Sequence, residues 1–237
     1  MHRNIVLIIG ASSDIGVGLI EELQKDSLVL AHFNQGVIQE GANIVPLQCD
    51  LNNQGAIEKF IQRVLEIGIP NKIVFLASAK VAVTRFQDMQ WEDFEQNFSI
   101  GLKSTFLLLK TFLPLLKKDK ERQKKIVFML SSSVCGEPPM GMSAYVSMKY
   151  ALLGLMKSLV SEYKAFDIQI NAISPSMIET KFLENIDSRI VELNALNHPL
   201  KRNATTKDVL PIIMMLLSQE SNYLNGVNIP ITGGSVF

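Results

Sequence analysis

The stretch Ile5-Val6-Leu7-Ile8-Ile9-Gly10-Ala11-Ser12-Ser13-Asp14-Ile15-Gly16-Val17-Gly18 decides the fold. Its five consecutive large aliphatics read as a strand buried on both faces of a parallel sheet. The glycine and serine turn that follows lets the backbone approach a ligand closely. Leu19, Ile20 and Leu23 then lay an apolar stripe along a helix. Free N–H groups and the dipole at a helix start favour an anion there. Strand, glycine turn and helix in that order predict a dinucleotide phosphate site, with Gly10, Ser12, Ser13, Ile15 and Gly16 around the phosphates. A tight structural turn is the alternative.

Outward from this unit, aliphatic runs recur at 4–9, 28–32, 44–48, 72–76, 125–131, 168–173 and 226–230. Helical patterns lie between most of them, at 16–25, 54–67, 99–117, 144–164 and 206–218. Alternating strands and helices predict an α/β fold, a Rossmann-like doubly wound parallel sheet of about seven strands with helices on both faces. Ligands of such folds sit beyond the carboxyl ends of the strands. Gly10, Asp50, Ala77 and Ser133, and less closely Pro175, fall on that rim. The whole chain, 1–237, is expected to be a single dinucleotide-binding and catalytic domain. Between strands 28–32 and 44–48 the residues Phe33 to Asn43 barely allow a parallel crossover, so the connecting helix should be one turn or missing. The segment from Phe182 to His198 reads as one or two lid helices, within a lid of about 178–200.

Composition narrows the function. The 237 residues suffice for one well-buried domain. The 23 basic side chains balance the 23 acidic ones, so there is no global pull towards nucleic acid or an anionic membrane. The run Lys117 to Lys125 also holds Asp119 and Glu121 and reads as a solvated loop. No window approaches the ~20 apolar residues of a membrane span, and the first residues lack a signal-peptide pattern. Two cysteines, Cys49 and Cys135, make no disulfide framework, which suits a cytoplasmic location. His2, His32 and His198 lack ligand spacing, so no catalytic metal is expected.

The sharpest chemical signal is Tyr145 and Lys149, four residues apart and hence on one helix face. A cation beside a phenol lowers the phenol pKa from ~10 and makes it usable as an acid or base near neutrality. Ser133 lies twelve residues upstream, at the end of an apolar run. It is preferred over Ser132 because side chains alternate along a strand; for Ser131 and Ser132, backbone hydrogen bonding at the strand end is the better reading.

Gly10-x-x-x-x-x-Gly16, Ser133 with Tyr145 and Lys149, Asn171-Ala172-Ile173-Ser174-Pro175 and Ile178-Glu179-Thr180 together resemble the short-chain dehydrogenase/reductases. The resemblance is to their single-domain branch, which includes 3-oxoacyl-carrier-protein reductases, and it spans the chain as far as Gly226…Gly233-Gly234. It implies hydride transfer between a nicotinamide and a ketone or secondary alcohol. Tyr145 would give the proton, Ser133 would place the oxygen, and Lys149 would tune the tyrosine and hold the nicotinamide ribose. Asp50 with Leu51 would meet the adenine; helix capping by Asp50 is an equal alternative. Ala77-Ser78-Ala79-Lys80 replaces the family's Asn-Asn-Ala-Gly turn, with Ala77, Ser78 and Ala79 beside the cofactor. Pro175 would shape the loop, with Ile178 and Thr180 at the carboxamide. The resemblance also implies a homo-oligomer, a tetramer or dimer, through helices 99–117 and 144–164, which are apolar around most of their circumference.

Three departures bear on activity. Ile9 replaces a threonine and Asp14 a glycine, and Asp14 is expected to point away from the phosphates and cap the helix. Gly101 stands where the family has a catalytic asparagine; Asn97, one turn earlier, is the nearest substitute. The end of the second strand, His32-Phe33-Asn34-Gln35, carries no acid, which removes the usual exclusion of NADP. NADP is therefore the expected cofactor, with NAD possible and His32, Phe33 and Asn34 beside the adenosine ribose. Met140, Met142 and Met177 would suit an apolar substrate wall, and Lys80 is expected to be solvated. The alternative to an enzyme is a nucleotide-binding regulatory or scaffold protein with little turnover. A sugar-nucleotide epimerase fits poorly, because the chain lacks room for a substrate domain.

Overall fold

The computed structural model describes residues 3–236; His2 lies outside them. Seven parallel strands form one sheet: β1 Ile5–Ile9, β2 Leu28–Phe33, β3 Ile44–Gln48, β4 Lys72–Phe75, β5 Lys124–Met129, β6 Ile168–Pro175 and β7 Asn228–Ile231. Their order is β3-β2-β1-β4-β5-β6-β7. The chain winds outward from β1 in both directions, so the switch point lies between β1 and β4, where a doubly wound sheet opens its crevice. Central strands are buried on both faces; β1 accordingly reads as an unbroken aliphatic run, whereas β6 buries Gln169, Asn171 and Ser174 as well.

The helices are α1 Asp14–Leu23, α2 Gln54–Ile67, α3 Trp91–Asn97, α4 Ser104–Lys118, α5 Ser143–Tyr163, α6 Ser188–Asn197 and α7 Thr206–Leu217. One face of the sheet packs α2, α4 and α5 through Phe60, Leu108, Phe112, Met148 and Leu152. The other packs α1 and α7 through Leu19, Leu23, Ile213 and Leu216. Among the described residues no helix joins β2 to β3, as the short connection requires; Gly41 instead pairs with Ile44 across a tight turn.

Three expectations change. α3 and α4 run on through a π-helical segment, Phe98–Lys103, to give a continuous helix of 28 residues from Trp91 to Lys118. That reaches membrane-spanning length and apolarity, yet Leu108, Leu109, Phe112, Leu113 and Leu116 pack into the core, which accounts for the apolar run. The charged stretch 117–125 is not all solvated. Lys124 and Lys125 belong to β5 and are 3% and 0% exposed. Lys124 donates to the Asp119 and Phe166 carbonyls, and Lys125 to Ser221 and Asn222, so burial is compensated by hydrogen bonds. β5 also stops at Met129, two residues earlier than its pattern predicts.

Candidate active site

The phosphate loop is held in place by its own residues. Gly10 has φ +91°, and a Cβ on it would lie 2.8 Å from the Ala77 amide, so the β1 and β4 loops touch through a position that only glycine fits. A Cβ on Gly16 would stand 2.5 Å from the Ala11 carbonyl. Ser13 is the N-cap of α1: its Oγ accepts the Gly16 N–H at 3.1 Å and its hydroxyl donates to the Gly10 carbonyl at 2.8 Å. Ser12 is exposed beside it, and Ile15 is buried beneath. The first N–H groups of α1 have no intrahelical acceptor, which leaves the helix start open to an anion.

Asp14 does not cap α1. Its carboxylate instead accepts the backbone N–H of Lys181 at 2.8 Å. His32 also departs from expectation. The ring is 2% exposed and turned into the protein. Nδ1 accepts the Gly10 N–H at 3.0 Å, so the proton is on Nε2, which donates to the Cys49 carbonyl at 3.0 Å. Burial pulls its pKa down to about 4, and the neutral ring ties the ends of β1, β2 and β3 together. His32 therefore supports the loop from behind and has no nitrogen left for a ribose. Phe33 is half-buried and Asn34 exposed at the mouth of that edge.

Asp50 is exposed; its Oδ1 accepts the Asn52 N–H at 2.9 Å, while Asn53 caps α2, so the helix-cap alternative for Asp50 does not hold. Leu51 is buried beside it. Ala79 is buried, and Ser78 has a buried hydroxyl without a hydrogen-bond partner. Pro175 ends β6 in register with Ile231. Ile178 bridges to Ala204, and the Thr180 hydroxyl donates to the Ile178 carbonyl at 3.4 Å.

Tyr145 and Lys149 occupy the first turns of α5, on the face turned towards the end of β5. The Lys149 Nζ lies 5.3 Å from the Tyr145 ring centroid and donates to the Met129 carbonyl at 2.7 Å. The expected acidification of the tyrosine is absent in this state. Burial pushes the phenol up to about 12, and a hydrogen bond with Ser131 only partly offsets that. Burial likewise pulls Lys149 down to about 7. Desolvation of both groups outweighs their mutual attraction.

The hydroxyl that acts on the phenol pKa, lowering it against burial, is that of Ser131, where the strand pattern favoured Ser133. Ser131 is the last extended residue, with φ −159° and ψ 152°, and caps a 3₁₀ turn, Ser132–Val134. Alternation ends there, and Ser133 is rolled inside, its hydroxyl buried without a partner. Gly101 sits in the π segment. A Cβ on it would collide with the Met148 Sδ, so methionine fills the space a side chain at 101 would need. Asn97 is buried, with Nδ2 on the Asp93 carbonyl and Oδ1 unpaired. The segment expected to form a lid consists of a 3₁₀ turn, Lys181–Leu183, followed by α6; the Phe182 ring lies 6.3 Å from that of Tyr145. Met140 and Lys80 are exposed, and Met142 and Met177 are half-buried.

These residues fit a bound dinucleotide. The glycine-lined loop leaves room for phosphate, and Ser78 and Ser133 hold buried hydroxyls lacking partners. Lys149 gives one of its N–H groups to protein, leaving donors for ribose hydroxyls. A doubly wound sheet with an open helix start, and on one rim a half-buried tyrosine beside a buried lysine, defines a nucleotide-dependent oxidoreductase class.

Comparison with known proteins narrows that class. The family model described as enoyl-(acyl carrier protein) reductase matches residues 19–235. The chain is 27% identical to oxidoreductase UcpA of Salmonella typhimurium, over 97% of this chain and 93% of that protein. It is 25% identical to the 3-oxoacyl-[acyl-carrier-protein] reductase FabG of Buchnera aphidicola, over 98% and 97% of the two chains. The structure of 4-hydroxyisoleucine dehydrogenase complexed with NADH superposes with a TM-score of 0.89 at 26% identity, covering 98% of each chain. The protein belongs to the short-chain dehydrogenase/reductase family of oxidoreductases.

Proposed function

We propose that this protein is a cytoplasmic, NADP-dependent reductase or dehydrogenase that interconverts a ketone and a secondary alcohol. The observation that carries the reading is the Ser131–Tyr145–Lys149 cluster at the strand rim, with Lys149 buried and Ser131 and Tyr145 half-buried. A bound nicotinamide supplies or accepts the hydride. Tyr145, its phenol held neutral by burial, carries the proton that the carbonyl oxygen takes up in reduction. Ser131, bonded to the same phenol, orients that oxygen. Lys149 contributes positive charge and ribose contacts from its anchor on Met129.

Gly10, Ser12, Ile15 and Gly16 would receive the pyrophosphate, Asp50 and Leu51 the adenine, and Ala77 to Ala79 the central riboses, with Pro175, Ile178 and Thr180 at the carboxamide end. NADP is preferred because the mouth at Asn34 and Gln35 carries no carboxylate to repel a 2′-phosphate; NAD is the alternative. Phe182 over Tyr145, with half-buried Met142 and Met177 on nearby loops, favours a substrate with an apolar portion, such as a 3-oxoacyl thioester. Phe106 and Tyr150, 50% and 46% exposed on α4 and α5, support a homo-oligomer built on those helices.

The test is oxidation of NADPH and NADH by the purified protein with a panel of 3-oxoacyl thioesters and simple or cyclic ketones. Turnover with at least one ketone, faster with NADPH, is expected. A protein that binds the dinucleotide but turns over no carbonyl would instead be a regulatory or scaffold member of the family, a reading that Met148 filling the space at Gly101 favours.

A further inference from the structure

Asp14 opens α1 but does not serve that helix, whose cap is Ser13. Its carboxylate reaches across the mouth of the site to the Lys181 N–H, 2.8 Å away and 167 residues on in sequence. Lys181 begins the 3₁₀ turn of the lid, and the next residue, Phe182, lies against Tyr145 with ring centroids 6.3 Å apart and planes tilted by 47°. Phe182 remains 40% exposed, so little packing of its own fixes it there. One side chain at the end of the phosphate loop therefore sets the place of an apolar wall over the candidate acid.

We propose that Asp14 is a lid latch, a positioning residue that holds Phe182 over Tyr145 and competes with the cofactor's pyrophosphate for the positive start of α1. The second half rests on the functional reading above, in which a phosphate occupies that helix start; the first half does not. A carboxylate and a phosphate near one helix terminus repel each other. The latch hydrogen bond and the anion are then coupled with opposite sign, and each weakens the other.

Hydrogen exchange of the Lys181 amide, measured on the full chain without cofactor, tests the latch. Asp14→Ala should speed its exchange about tenfold or more, because a hydrogen bond to a charged acceptor is lost. Asp14→Asn keeps an acceptor oxygen and should hold the rate within about threefold of wild type. Amides of α4 serve as the fold control, and Asp14→Ser, too short to reach Lys181, replaces alanine if that control fails. Unchanged Lys181 exchange in the shortened variant would overturn the latch. Fluorescence titration with NADPH tests the competition. Asp14→Asn should bind severalfold tighter than wild type, and equal or weaker binding would refute it. Failure of the titration with the exchange result intact would place the fault in the phosphate reading, not in the latch.

Discussion

Replacing Lys149 by methionine should stabilise the protein while abolishing turnover. Lys149 is 2% exposed, and burial brings its pKa from 10.5 to about 7. At ~1.4 kcal/mol per pH unit, that drop represents a burden of ~5 kcal/mol on the folded state when the amine is charged. The sign follows from proton counting. Below pH 7 both folded and unfolded chains carry the proton, and the folded chain bears the whole cost. Between 7 and 10.5 only the unfolded chain holds it, so stability rises with pH. Methionine removes the burden and keeps most of the volume, but it leaves the Met129 carbonyl without its 2.7 Å donor, at ~1–3 kcal/mol. A net gain of ~2–4 kcal/mol near pH 6.5 follows, or roughly 5–15 °C in Tm for a chain of this size. Urea unfolding followed by circular dichroism at pH 6.5 and 9.5 measures it. Tyr145 titrates far above this window, at about 12, and does not interfere. A variant less stable than wild type at pH 6.5, or a difference that does not shrink towards pH 9.5, would refute the reasoning.

Other substitutions separate the roles assigned to neighbouring residues. Ser131→Ala should lower kcat about 10–100-fold by removing the hydrogen bond that orients the reacting oxygen, whereas Ser133→Ala, which deletes an unpartnered hydroxyl, should stay within a few-fold; steady-state kinetics on the two variants decides between them. Gly101→Asn should destabilise the fold by ~1–3 kcal/mol through overpacking on Met148, and adding Met148→Ala should recover part of the loss in thermal melts. His32→Leu removes the acceptor of the Gly10 N–H and the donor to the Cys49 carbonyl; calorimetric titration should show cofactor affinity falling at least about tenfold, with kcat at saturating cofactor largely retained.

The sheet was the most legible part of the molecule because buried parallel strands leave aliphatic-rich runs, clearest in β1 and weakest in β7, whose Asn228–Ile231 is at most partly buried. Helix α2, and the lack of a helix between β2 and β3 among the described residues, followed from periodicity and length alone. Side-chain direction at strand ends was less legible. Alternation pointed to Ser133, but the chain bends into a 3₁₀ turn at Ser132, and nothing in a row of three serines marks where extension stops. His32 lay at the predicted edge yet turned inward, because Gly10 offers its N–H from behind the strand. The capping role of Ser13 was available from its spacing to Gly16, since an N-cap hydroxyl seeks the N–H three residues on. Asp14 could not have been placed, because its partner lies at the far end of the chain. Burial likewise reversed the tyrosine pKa: sequence spacing shows proximity to a cation but not the desolvation of both groups.

Proton donation by Tyr145 is the step on which the proposed activity depends. The most direct measurement is turnover of a ketone substrate by Tyr145→Phe, paired with a titration of NADPH binding on the same preparation. Loss of ~10²–10⁴ in kcat with cofactor affinity within a few-fold of wild type is the expected result. Turnover within a few-fold of wild type would contradict it.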